Sequence, residues 1–225
     1  MPSEQAHGTR RARDSVVRQR QRPRPVGRCA PHQTNGVSYE ALRPQDLVVV
    51  AVEDGRTLEG KLRPSSDTPT HVALYRRYPS IGGVVHTHSM EATAWAQACR
   101  ALPALGTTHA DHFRGPVPIT RQMATAEING QYEAETGQVI VEALEREDLE
   151  PLDMPAVLVA SHGPFCWGPN ADAAVDNAIA LEAVAGMASR ALLVRPDLGP
   201  IADALLERHF SRKHGRDAYY GQRPS

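Results

Sequence analysis

Cysteine is scarce in this 225-residue chain, with Cys29, Cys99 and Cys166 the three present. An odd number at wide spacing argues against a disulfide framework and fits a reducing cytoplasm. A charge of one sign is missing too. The 25 Lys and Arg against 26 Asp and Glu leave a formal charge of -1, so the whole chain has no bias toward nucleic acid or a membrane surface. Long hydrophobic runs are also absent. LVVVAV and AVLVA have the length of strands, well short of the roughly 20 residues that span a bilayer. No apolar stretch of the secretory kind follows the N-terminus, and no internal repeat is visible.

What is present divides at residue 36. Residues 1–36 form an atypical Arg/Pro-rich segment, with arginines at 10, 11, 13, 18, 20, 22, 24 and 28 and no hydrophobic period. Such a composition reads as a solvated basic extension, with a nucleic-acid tail as the functional alternative. Residues 37–225 form a domain of a size that buries a full core. Asp46–Val52 and Thr57–Lys61 suggest a hairpin turned at Asp54-Gly55. A helix is expected from Thr68-Pro69 through Tyr78, a buried strand over Gly83–His88, and a helix from Ser89 to about Ala101. Val117–Thr120 suggests a short strand, and Thr125–Glu147 a long helical stretch broken at Asn129-Gly130 or Gly137. Strands at Ala156–Ser161 and Pro164–Trp167 precede helices at Asp172–Leu193 and Ile201–Lys213. The mixture predicts an α/β or α+β layered domain.

Within GGVVHTHS, His86 and His88 alternate on a strand and project to one face, roughly 6–7 Å apart at the backbone, within reach of one metal ion. A lone buried histidine is more often a hydrogen-bonded core residue. His162, which ends AVLVAS and precedes Gly163, supplies a third imidazole. Three histidines with an open position describe a catalytic metal site, and Cys99 and Cys166 are left as packing residues. Asp67, after Ser65 and Ser66 at a helix start, is either a plain cap or a carboxylate facing the metal. The two serines and the exposed amides would suit a phosphate. The polar stretch PALGTTHADHFRG offers Thr107, Thr108, His109, Asp111 and His112 in a loop, for substrate contact or as ordinary surface. Near the end, His209, Arg212, His214, Tyr219 and Tyr220 are either packing residues or a mobile acid/base group.

Taken together, PSSDTPTH, GGVVHTHS, ALGTTHADHFRGPVPITR, INGQYEAETGQVIVE, SHGPFCWG and RKHGRDAYYGQ resemble the L-ribulose-5-phosphate 4-epimerases of the class II aldolase/epimerase superfamily, in nearly continuous order from about Val37 to Gln222. The resemblance implies a single layered α/β/α domain with a largely antiparallel central sheet, assembled as a homotetramer with sites at subunit interfaces. It implies Zn2+, or Mn2+ or Co2+, held by Asp67, His86, His88 and His162. Ser65 and Ser66 would hold the substrate phosphate, and Asp111 and Tyr220 would be the paired acid and base. Thr107, His209 and Arg212 fall on further substrate-binding positions. The implied reaction converts L-ribulose 5-phosphate to D-xylulose 5-phosphate by opening and re-forming the C3–C4 bond, with a sugar phosphate as the sole small-molecule partner. A fuculose-1-phosphate-type aldolase shares the histidines but carries glutamate in place of Asp67. A catalytically damaged metal- or sugar-phosphate-binding homologue is the other alternative.

Two phosphate-loop elements of the family, a GNVS run and a Lys-Pro-Ser-Gly turn, are not present as written. Arg18-Gln19 stands in the first place and Gln33-Thr34-Asn35-Gly36 in the second, with Asn35 and Gly36 kept as substrate-binding positions. Codons for Arg18 through Pro25 can be chosen so that a frame shifted by one base spells Gly-Asn-Val-Ser-Ala-Arg-Asp. His32 through Gly36 can likewise conceal Ile-Lys-Pro-Thr-Gly. The segment from about Gly8 to Asn35 therefore reads as out of frame.

Overall fold

In the computed structural model the described residues are 29–34, 41–215 and 218–219. Two three-stranded sheets, both antiparallel, carry them. The first joins β1 (Cys29–His32), β2 (Val48–Ala51) and β3 (Thr57–Glu59) in that order. β1 lies within the Arg/Pro-rich segment yet pairs along its length with β2. Gly55 turns the β2–β3 hairpin at φ 75°, where a side chain would be strained. The second sheet contains β4 (Gly83–His86), β5 (Ala156–Leu158) and β6 (Pro164–Gly168), with β6 in the middle. The helices are α1 (Thr68–Arg77), α2 (Met90–Gln97), α3 (Thr107–Ala110), α4 (Thr125–Ile128), α5 (Tyr132–Arg146), α6 (Ala171–Val194) and α7 (Asp203–His214).

Alternation along the second sheet sets the layers. Val84, Val157, Phe165 and Trp167 enter one apolar cluster, while Val85, Ala156, Leu158 and Cys166 enter another. α1 and α5 cover the first face with Leu74, Tyr75, Ile140 and Leu144. α2 and α6 cover the second with Ala92, Trp95, Ala178 and Leu181. The expected α/β domain with antiparallel sheets is thus observed. α1 and α5 pack so closely that a Cβ on Gly137 would lie 2.6 Å from that of Ala73. The break in the long helical stretch falls instead at Asn129-Gly130.

Several local expectations need correction. β4 stops at His86, so His88 lies in the turn beyond the strand. The Val117–Thr120 strand reduces to isolated bridges, Leu102 with Val117 and Ile119 with Leu158. The polar GTTHA stretch is a single helical turn, α3, rather than a loop. Cys99 is not a packing residue: it sits half-buried at φ 52° just past α2, its thiol beside Ser161 and Gln122. The strand-length apolar runs also understated α6, which is long and apolar enough, by length and composition, to cross a bilayer. Its buried stripe of Ala174, Ala178, Leu181, Ala185 and Ala188 packs on the sheet and α2, as a core helix does.

Candidate active site

His86 is the last residue of β4, paired with Phe165 and stacked on its ring at 4.1 Å. Its Nδ1 lies 2.9 Å from the Pro164 carbonyl. A carbonyl only accepts, so Nδ1 carries the proton and Nε2 keeps its lone pair. That Nε2 is 3.1 Å from Nε2 of His88. The ring of His162 lies 4.8 Å from that of His86 and 5.0 Å from that of His88. The turn between β5 and β6 delivers it, with Ser161 at φ 61°. Gly163 allows the approach, because a Cβ there would stand 3.0 Å from the Thr87 carbonyl and 3.6 Å from both His86 and His88. One ligand atom from each of the three histidines falls within 4.8 Å of the others, a cluster able to hold a metal ion. Burial lowers the His86 pKa to about 3 and lowers that of His162, so both imidazoles are neutral, as metal ligands must be.

Asp67 stands at the N-cap of α1, but its side chain makes no capping bond. Its carboxyl is half-buried beside the tripod. Burial raises its pKa, while the electrostatic influence of His162 and His88 and the Ser65 hydroxyl pull it back. Asp67 is outside the group of ligand atoms within 4.8 Å, which consists of the three histidines. Ser65 is tied to the residue that follows β1, its N–H donating to the Gln33 carbonyl at 2.8 Å, and its Oγ accepts from the Asp67 N–H at 3.3 Å. Ser66 beside it is exposed at the start of α1. Asn35, Gly36 and Tyr220 lie outside the described residues.

A second cluster gathers around Asp111, which follows α3. Arg212 grips both carboxylate oxygens at 2.8 and 2.9 Å, His209 Nδ1 lies 3.0 Å away, and Lys213 Nζ 3.6 Å. Burial works to raise the Asp111 pKa, but the Arg212 and His209 hydrogen bonds and the Lys213 charge outweigh it and hold the group ionised. Thr107, half-buried, accepts the Asp111 N–H on its carbonyl at 2.9 Å. His109 is buried and braces the Gly115 carbonyl at 2.7 Å, which leaves it a structural part. Asp111, His209, Arg212 and Thr107 therefore form one group, and Asp67 with the histidines another. The side-chain partners of Asp111 come from α7, and none is a tripod histidine.

Sequence reasoning passed over Tyr132, whose hydroxyl is 3.3 Å from His162 Nδ1, and Lys213 beside Asp111. Neither sits at a spacing that marks it. The cavity of about 660 Å3 between α1, α5 and the β2–β3 turn includes none of the tripod histidines. The chemistry sits at an open edge, where His88 is exposed.

An α/β fold with a histidine cluster able to hold a metal ion at one sheet end is the arrangement observed, and the chain belongs to the class II aldolase family. The family described as Class II Aldolase and Adducin N-terminal domain matches residues 21–189. Among curated relatives, L-ribulose-5-phosphate 4-epimerase UlaF of Salmonella typhi is 56% identical over 189 residues, covering 84% of this chain and 82% of that protein. UlaF of Salmonella paratyphi A matches to the same extent. Among solved structures, an L-fuculose 1-phosphate aldolase superposes with a TM-score of 0.71 at 18% identity, covering 94% of this chain and 97% of that one. The L-fuculose-1-phosphate aldolase of Thermus thermophilus gives 0.60 at 21% identity, covering 85% and 96%. At those identities the likeness is one of fold.

Proposed function

We propose that this chain is an L-ribulose-5-phosphate 4-epimerase that inverts C4 to give D-xylulose 5-phosphate. The observation that carries the reading is the convergence of His86, His88 and His162 beside Asp67, in a chain 56% identical to proteins of that name. The four residues fit a divalent cation: three imidazoles with ligand atoms within 4.8 Å of one another and one half-buried carboxylate favour Zn2+, with Mn2+ and Co2+ as alternatives. When bound, such an ion supplies Lewis acidity to the ketose oxygens.

The remaining chemistry belongs to the chain. Ser65 and Ser66, just ahead of α1, receive the phosphate. Asp111, held ionised by Arg212 and His209, takes the proton from the C4 hydroxyl as the C3–C4 bond opens. The aldehyde turns, the bond re-forms on its other face, and Tyr220 is the group assigned to return a proton. Asp111 sits in a cluster of its own with α7, which supports a homotetramer whose sites combine the tripod of one copy with the Asp111 cluster of the next. Three free thiols accord with a cytoplasmic location.

The fuculose-type aldolase is the second reading, favoured by the fold neighbours and disfavoured by Asp67 where that resemblance carries glutamate. A coupled assay with L-ribulose 5-phosphate and divalent metal separates them. D-Xylulose 5-phosphate with little free glycolaldehyde phosphate is the expected result. Accumulating glycolaldehyde phosphate identifies the aldolase, and metal binding without turnover identifies a damaged homologue. A chain with residues 8–35 restored to the other frame should turn over faster than this one.

A further inference from the structure

His86 has its tautomer fixed by the Pro164 carbonyl, whereas no carbonyl of the described residues is bonded to Nδ1 of His162. The group facing that nitrogen is the hydroxyl of Tyr132, 3.3 Å away. Tyr132 opens α5, immediately after the Asn129-Gly130 break. Its carbonyl accepts from Thr136 Oγ1 at 2.8 Å, and that of Glu133 accepts from Thr70 Oγ1 at 2.6 Å. Thr70 and Thr136 are both 1% exposed, so these bonds are sheltered from water. Thr70 belongs to α1, whose N-cap is Asp67. The Thr70 bond thus ties the start of α5, which carries the Tyr132 phenol, to the helix capped by Asp67.

We propose that Tyr132 is a positioning residue of the metal centre, accepting the His162 Nδ1–H so that Nε2 keeps its lone pair toward His86 and His88. A ligand histidine ordinarily donates its second ring N–H to an oxygen that fixes ring orientation and tautomer. For His162 the phenol fills that role, and its anchoring to α1 keeps Asp67 and His162 in register with one another. The proposal rests on the metal-site reading above.

The test is divalent-metal affinity, measured by competition with a chromophoric chelator, for the full chain and for Tyr132→Phe, which removes only the hydroxyl. Binding of Zn2+ and Co2+ should weaken about 10- to 100-fold, in line with the loss of an outer partner of a ligand histidine. The visible spectrum of the Co2+ form should change with it. The same substitution in a His162→Ala background should change affinity by less than about twofold, because the residue it acts through is gone. An equal loss in both backgrounds, or unchanged affinity of Tyr132→Phe, would overturn the role of Tyr132. A parent chain that binds neither ion would remove the metal centre itself, a result distinct from either.

Discussion

His32 is 1% exposed, and among the described residues its Nε2 has no partner, nor do Nε2 of His71, whose ring centre is 5.2 Å away, and Oγ1 of Thr34. Burial lowers the His32 pKa to about 4, so the ring is neutral yet still polar. Pro31 beside it contributes no N–H to the pairing of β1 with β2. A buried polar atom without a partner costs about 1–3 kcal/mol. His32→Ile, the residue the shifted frame conceals at this position, should therefore stabilise the chain by about that amount. The check is the urea midpoint at constant slope, and a lower midpoint would mean that His32 is satisfied in solution. Residue by residue, legibility followed sequence distance. His86 and His88 could be paired from their spacing, and the tripod needed only one more imidazole. The Arg212 clamp on Asp111 joins residues 101 apart, and the Tyr132 phenol meets His162 only because α5 packs on α1, which no spacing records.

At the scale of elements, the strands of the second sheet were readable because burial on both faces leaves short continuous apolar runs bounded by glycine or proline. Their ends were not, since ends depend on partners from elsewhere in the chain. Ser89 is the local cap expected for α2, yet its side chain makes no capping bond. The carboxylate of Glu182, on α6, accepts the Glu91 N–H at 2.9 Å and the Ala92 N–H at 3.0 Å. An acidic group there also complements the positive end of the helix. Glu182→Ala should cost about 1–3 kcal/mol, because it leaves two amides unpaired. Ser89→Ala should cost markedly less. Thermal melts of the two variants decide this, and an equal or greater loss for Ser89→Ala would contradict the assignment. The same reasoning explains Asp67, whose position reads as a cap while its carboxyl faces the histidines.

For the molecule as a whole, buried neutral histidines make stability depend on pH. His32 and His71 sit below their ordinary value of 6.5 because of burial, as does His86, which keeps a neutral ring down to about 3. In the unfolded chain these rings take up protons near 6.5, while in the folded chain His32 does so only near 4. The unfolded state binds more protons between those values, so stability is present above pH 6.5 and is lost as pH falls toward 4. Each such histidine contributes at most about 1.4 kcal/mol per pH unit in its window. Denaturation of the metal-free chain across this range should show the decline, and His32→Ile should make it shallower. A flat profile would place these rings in water.

His86 is the half-buried last residue of β4, while His88 lies two residues past the strand and is exposed. The cluster therefore has a front and a back: His88 is the member open to solvent, and His86 and His162 lie behind it. An ion held by the three rings would enter and leave on the His88 side, so a bulky substitution within residues 87–89 should slow its exchange more than one on the far side of the sheet.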